Sequence, residues 1–432
     1  MNMCLNDRIF RIISDLAEEK HLRLYVIGGF VRDCLLDKKS KDIDIVVIGS
    51  GIEFAEQLAG RIRSRKISIF RNFGTAMLRY GDKEIEFVGA RKESYRRDSR
   101  KPHVEDGTLE EDQYRRDFTI NAMAFGLNKD NYGELVDPFN GVEDLRKGII
   151  RTPADPDMTF SDDPLRMMRA IRFASRFHFD IDPVTFTAIG NNRERISIVS
   201  AERITDELNY IMMTEKPSEG FLYMDSSGLL EIILPEVHAL KGVESIRGKK
   251  HKDNFYHTLQ VLDNIAKGSG NLWLRWAALL HDVAKPVTRK YDEEQGWTFH
   301  HHEYVGYKMI PAIFRRLKLP LDERMKYVRK LVFLHLRPIV LAMDEVSDSA
   351  VRRLLFEAGD DTDDLMLLCE ADITSKNEAR VRQYLHNFEL VREKMKIIEA
   401  KDHIRNFQPP VTGDIICDAF GISPSKEVGI IK

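Results

Sequence analysis

The first 155 residues predict a mixed α/β unit, and the rest of the chain predicts helix almost throughout. Two patterns carry this. Short β-branched runs alternate with segments of helical period as far as Val88. From Pro164 to about residue 400 nearly every segment has helical spacing, with glycine punctuation near Gly228, Gly242 and Gly268. Length agrees, since 432 residues exceed a single compact core and call for two to four domains.

Leu5, Ile9, Ile12, Ile13 and Leu16 fall on one helical face. A strand over Leu22–Ile27 then runs into the Gly28-Gly29 turn. A helix near Phe30–Leu36, a strand over Ile43–Ile48 and a helix over Ile52–Arg63 follow. Ile67–Phe70, Thr75–Tyr80 and Glu84–Val88 read as further strands. Ala90 to Glu111 has few apolar residues and reads as a long mobile loop, a kind usually functional in a compact domain. The basic stretch Gly242–Lys252 marks a boundary between two helical units. The expected domains are 1–155, 156–242 and 243–395, with a tail at 396–432.

A net charge of −3 excludes a uniformly basic nucleic-acid binder but leaves local basic patches at 61–66, 91–101 and 247–252. No apolar run approaches membrane-spanning length, so no membrane association is expected. The N-terminus lacks a basic region followed by an apolar core, so it does not read as a signal peptide. Cys4, Cys34, Cys369 and Cys417 are scattered without CxxC spacing. That argues against a disulfide framework and for a reducing, cytoplasmic location.

Strand residues two apart share a face, so Asp42 and Asp44 aim two carboxylates at one point. Such a pair repels itself unless a cation intervenes, and Mg²⁺ suits it. The preceding glycines let a phosphate approach the backbone, and Arg32 lies one helical turn on. Glu86 is either a third carboxylate or part of a half-exposed strand with Glu84. Arg115-Arg116-Asp117 precedes an apolar helix from Phe118 to Ala124. Arg116 is a candidate triphosphate contact, and Asp117 or Thr119 a candidate cap. Asp163, Arg166, Arg169 and Arg172 recur every three residues and predict a polar ridge on a helix. Such a ridge either hydrogen-bonds base edges or forms intrahelical ion pairs. In the second half, His257, His281-Asp282, His302, His335 and Asp372 offer imidazole and carboxylate donors for a divalent metal of open identity.

These motifs resemble a family. From residue 24 to about 240 the chain is similar in order and spacing to the class II tRNA nucleotidyltransferases, the CCA-adding enzymes, and to bacterial poly(A) polymerases. The resemblance implies a polymerase-β-like α/β head with a mixed sheet, then an all-α neck and body. It implies that Asp42 and Asp44 hold catalytic Mg²⁺, and that Gly29, Arg32 and Arg116 bind the triphosphate. Asp163 and Arg166 would pair with the base of CTP or ATP, with Arg169 and Arg172 at further nucleotide contacts. The implied partner is tRNA. One departure is visible: Asp162 stands where the family usually has Glu. The 90–111 segment resembles the family's flexible loop, which favours complete CCA synthesis.

The order His…His-Asp…His…His…Asp resembles the all-α HD-domain metal-dependent phosphohydrolases. Among His300, His301 and His302, the family's His-Glu pattern selects His302. Six such ligands suit two metals. The resemblance implies phosphodiesterase or phosphatase activity on nucleotides, or else a degenerate helical support for tRNA. Gly413-Asp414 to Gly429 resembles the family's tail, which the chain is expected to leave incomplete. The rival expectations are a poly(A) polymerase, which normally lacks the HD set, and an HD phosphohydrolase with an RNA-recruiting head.

Overall fold

The computed structural model describes residues 4–64, 66–71, 74–96, 99–242, 245–246, 249–250, 253–294, 296–343, 347–374 and 377–406. The expected tail pattern around Gly413 and Gly429, with Cys417, lies outside them. Two compact units are present: residues 1–243 with 266–272 and 312–321, and a second unit of 244–265, 273–311 and 322–432.

In the first unit, α1 (Arg8–Lys20) is capped by Asp7, whose side chain accepts from the Ile9 amide. It packs an apolar face of Ile9, Phe10, Ile13, Leu16 and Ala17. Then come β1 (Leu24–Ile27), α2 (Gly29–Leu35), β2 (Asp42–Val47), α3 (Gly51–Arg61), β3 (Ile67–Phe70), β4 (Thr75–Tyr80) and β5 (Lys83–Gly89). β6 (Arg91–Arg96), β7 (Ser99–Asp106), α4 (Leu109–Tyr114), α5 (Thr119–Ala122), β8 (Ala124–Gly126) and β9 (Leu135–Val136) complete the head. One mixed sheet has the order β3-β4-β5-β2-β1-β8-β9. β2 and β5 pair in parallel, and every other pairing is antiparallel. The central strands bury Val26, Ile27, Ile45, Val46, Val47 and Phe87. At their polar ends the register sets Asp44 opposite both Ile27 and Glu86.

Three expectations change. The 90–111 segment is an antiparallel hairpin, β6–β7, followed by α4 with a Thr108–Glu111 capping box. Ribbon pairing uses backbone groups, so a polar composition concealed it. The apolar run 118–124 is a single turn, α5, and then a strand, because Met123 turns extended (φ −72°, ψ 143°) and β8 joins β1. Cys4 and Cys34 form a disulfide, because the start of the chain and the end of α2 meet in space despite a sequence separation of 30. The free Cys369 is buried.

Beyond the head the first unit is helical, with Leu165–Phe177 at its centre against Ala201–Met212 and Pro217–Ser226. A short parallel pairing of Ile149–Ile150 with Asp180–Ile181 interrupts the helices. The second unit is also mostly helical, with Phe255, Leu262, Trp276, Leu279, Leu331, Leu365 and Phe388 in its core. Among the described residues no helix is long and apolar enough to cross a membrane.

Candidate active site and metal centre

A cavity of about 620 Å³ opens at the polar end of the head sheet. Gly28, Gly29, Arg32, Asp42, Asp44, Arg116, Asn121, Arg169 and Arg172 line it. The β1–α2 turn requires glycine at Gly28, where φ is +81°. A Cβ there would lie 3.2 Å from Arg116 Nη1 and 3.3 Å from Asp44 Oδ2. Gly29 meets only Arg32, at an ordinary 3.5 Å. Gly28 is therefore the sterically constrained residue of the pair.

The carboxylates of β2 and β5 are an uncomfortable group. Burial pushes Asp44 above the ordinary carboxylate range and Asp42 adds to it, while Arg116 pulls the other way. Glu86 is raised by burial and by Asp44. Carboxylates that resist ionisation side by side fit a divalent cation, which would remove the repulsion.

The arginines are held by a continuous network. Arg32, 5% exposed, donates Nε and Nη2 to Asp33 Oδ1 at 2.8 and 2.7 Å and Nη1 to Asn121 Oδ1 at 2.6 Å. Asn121 donates to Asp117 Oδ1 at 3.0 Å, and Asp117 Oδ2 accepts twice from Arg169, at 2.8 and 2.6 Å. Burial alone would raise Asp117, but Arg169 and Asn121 outweigh it and hold it at about 2. Arg172 Nε lies 3.0 Å from buried Glu207, and its guanidinium sits over the rings of Phe173 and Tyr210.

Of the expected nucleotide contacts, Asp163 and Arg166 do not line this cavity. Asp163 precedes the helix in extended backbone, accepts from the Leu165 amide and faces Arg203 at 3.8 Å. Arg166 Nη2 donates to the Arg115 carbonyl at 2.8 Å. The expected four-residue ridge is thus three arginines, with Asp163 at its approach. Asn121, Asp112 and Glu207 escaped the sequence reading. Asn121 left a signal in its spacing of four from Asp117, and Asp112 in its spacing of three and four from Arg115 and Arg116.

The second site draws six side chains from five helical elements of the second unit. His257 lies in Asn254–Gly268. His281 and Asp282 follow Leu272–Leu280, His302 opens His302–Arg316, His335 follows Glu323–Leu334, and Asp372 follows Thr362–Ala371. Three of these histidines sit where the Nδ1 reaches a carbonyl three residues back. His281 bonds Ala278 O at 2.8 Å, His302 bonds Phe299 O at 2.7 Å and His335 bonds Val332 O at 2.6 Å. A carbonyl only accepts, so Nδ1 carries a proton, and in the neutral ring Nε2 keeps its lone pair. Those three Nε2 atoms are buried and make no hydrogen bond. They lie 3.3 to 3.9 Å from Asp282 oxygens. His257 Nε2 is 2.7 Å from Asp372 Oδ1, and its Nδ1 is 2.8 Å from Thr374 Oγ1.

The donors form two adjacent groups, His257/His281/Asp372 and Asp282/His302/His335, each within 4.8 Å. Burial and the neighbouring His281 push His335 down to about 3, so it is neutral and ready to ligate. Burial also disfavours His281⁺, but Asp282 and Asp372 outweigh it and raise that group to about 10, so a metal bound there displaces a proton from Nε2. A buried cluster of unsatisfied imidazole nitrogens around two carboxylates fits divalent metal. All six expected residues are brought together.

A nucleotidyltransferase head with a helical unit built around an HD cluster is the class of protein these sites define. Family models agree: residues 24–151 match the poly A polymerase head domain, 178–241 a probable RNA and SrmB-binding site of polymerase A, and 254–377 the HD domain. The chain is 31% identical to a multifunctional CCA protein of Shewanella frigidimarina over 389 residues, 85% of this chain and 89% of that one. Against a multifunctional CCA protein of Pseudomonas fluorescens it is 35% identical, covering 70% and 72%. A segment of 164 residues is 46% identical to an A-adding tRNA nucleotidyltransferase of Aquifex aeolicus, covering 38% of this chain and 20% of that one. The apo structure of a CCA-adding enzyme superposes with a TM-score of 0.63 at 26% identity, over 98% and 89% of the two chains. A tRNA nucleotidyltransferase with primer tRNA and an ATP analog gives 0.59 at 25%, over 88% and 98%. The chain belongs to the multifunctional CCA protein family.

Proposed function

We propose that this protein builds CCA on tRNA 3′ ends from CTP and ATP, releasing pyrophosphate. The observation that carries the reading is one cavity joining the Asp42/Asp44 pair to Arg32, Arg116, Arg169 and Arg172. Asp42 and Asp44 are assigned to Mg²⁺, with Glu86 beside them. The ion supplies a lowered pKa for the attacking 3′-hydroxyl and neutralises charge at the α-phosphate. Gly29 offers backbone to the phosphates; Arg32 and Arg116 clamp the triphosphate and orient it for in-line attack. Asp163 and Arg166 read the base, exchanging Arg203 and the Arg115 carbonyl for base edges when nucleotide enters. Arg169 and Arg172 flank the nucleotide. The reaction is placed in the cytoplasm, where tRNA matures.

The test is purified protein with tRNA lacking CCA and each labelled triphosphate. Incorporation of both C and A is expected. The match to an A-adding enzyme favours a second reading, addition of the final A to tRNA ending in CC. Addition of A to tRNA ending in CC, with neither nucleotide added to tRNA lacking CCA, would establish that one and overturn complete CCA synthesis.

The six-residue cluster is proposed as a divalent-metal phosphohydrolase centre for nucleotide phosphates. Its support is the set of buried, unsatisfied Nε2 atoms. Metal-loaded protein should hydrolyse nucleotide phosphoesters, and a His281→Ala variant should not. Equal hydrolysis by both would sink the assignment.

A further inference from the structure

Asp112 is a fully buried carboxylate that lines no part of the active-site cavity. It lies on α4, directly after the β6–β7 hairpin, and it faces two consecutive arginines. Its Oδ1 accepts from Arg115 Nε at 3.0 Å and also from Arg115 Nη2. Its Oδ2 accepts from Arg116 Nε at 3.2 Å and Nη2 at 3.1 Å. One carboxylate therefore grips the same edge of both guanidinium groups.

That grip has a direction. With Nε and Nη2 of Arg116 turned to Asp112, its Nη1 is the nitrogen that approaches Gly28, beside Asp44 Oδ2. An arginine fork is planar and rigid, so fixing one edge fixes where the other points. A lysine in its place would keep the charge and lose the aim. Before nucleotide enters, the same segment is tied a second time, because Arg166 donates to the Arg115 carbonyl. Burial would raise Asp112, but Arg116 and Arg115 outweigh it and keep the group ionised.

We infer that Asp112 is a positioning residue for nucleotide addition: it aims Arg116 at the triphosphate without touching the nucleotide itself. The inference rests on the assignment of Arg116 to the triphosphate. It also makes α4 the element that passes the placement of the hairpin base to the phosphate site.

The experiment is steady-state CCA addition by the full chain, with inhibition by inorganic pyrophosphate read alongside. Asp112→Asn keeps the shape and removes the charge. It should raise KM for both CTP and ATP about tenfold to a hundredfold, the weight of a buried charge-assisted pair. The pyrophosphate inhibition constant should rise in step, and KM for tRNA should stay. In an Arg116→Ala background, Asp112→Asn should add nothing further. If Asp112→Asn does not fold, Arg116→Lys reads the same aim and should match Arg116→Ala in nucleotide KM. Wild-type nucleotide KM and pyrophosphate inhibition in Asp112→Asn, effects that multiply with Arg116→Ala, or wild-type behaviour of Arg116→Lys would each overturn the inference. Wild-type nucleotide KM in Arg116→Ala is a different outcome, and it would overturn the triphosphate assignment instead.

Discussion

The head cavity and the HD cluster solve opposite electrostatic problems. In the cavity the ligand is an anion that comes and goes, and the arginines awaiting it are already occupied. Arg32 rests on Asp33 and Asn121, Arg169 on Asp117, and Arg172 beside Glu207. These carboxylates keep the guanidinium groups placed and charged without substrate. In the HD cluster three of the four histidines make no hydrogen bond on the Nε2 side. Those Nε2 atoms are buried, and each ring is locked from behind by a backbone carbonyl. An open substrate site is built to be complete when empty, whereas a resident metal site is built to be completed by the ion.

The largest effect expected from this contrast comes from Asp42→Ala with Asp44→Ala. Nucleotide addition should fall by about three orders of magnitude or more, as several kcal/mol of charge stabilisation disappear. Metal content and phosphoester hydrolysis of the HD cluster should be unchanged. A parallel loss of both activities would break the picture of two independent sites.

Next is removal of metal. Chelation should lower the thermal stability of the second unit, because binding at a hundredfold excess over Kd is worth about 2.7 kcal/mol. Asp282→Asn should abolish that response to added metal. A transition unmoved by chelator, with removal of the metal verified by elemental analysis, would overturn a stabilising ion in this cluster.

Asp117→Asn follows, since it strips the common acceptor from Arg169 and weakens the hold on Arg32 through Asn121. Breaking such a buried pair typically costs about 3 kcal/mol. The pH dependence has a definite sign. Asp117 is held at about 2 against an ordinary 3.8, so it stabilises the fold above pH 3.8 and that contribution is lost as pH falls towards 2. Wild-type acid unfolding should shift upward in pH in the variant, as followed by circular dichroism.

The smallest effect is Gly28→Ala, which meets both a positive φ and the crowding of Arg116 and Asp44. With φ +81° and ψ −135° at Gly28, a cost of about 1–2 kcal/mol is expected from the backbone alone. Nucleotide KM should rise more than KM for tRNA. Equal changes in both would place Gly28 outside the phosphate site.

Much of this was legible before any coordinates. Alternation and helical period place β1, β2, α3, β4 and β5 close to where they lie. The six residues of the HD cluster were legible because metal chemistry restricts residue type, and they lie together. Asp112 was not singled out, because it is the third of three consecutive acids and nothing local says which of Glu110, Glu111 and Asp112 turns inward. The hairpin escaped for a related reason, being held by backbone groups with no apolar alternation to announce it.

By itself the sequence determined the chemistry available: paired carboxylates at strand spacing, arginines near a glycine turn, and a set of imidazoles with two aspartates. Residue type and local period suffice for that, because both are properties of short segments. Tertiary structure alone decided which groups hold each other. It joined Arg32 to Asn121 across 89 positions, set Arg166 on the Arg115 carbonyl, brought Cys4 to Cys34 and turned four histidine rings inward. Those are choices of direction between distant segments, and direction is fixed only when the chain packs.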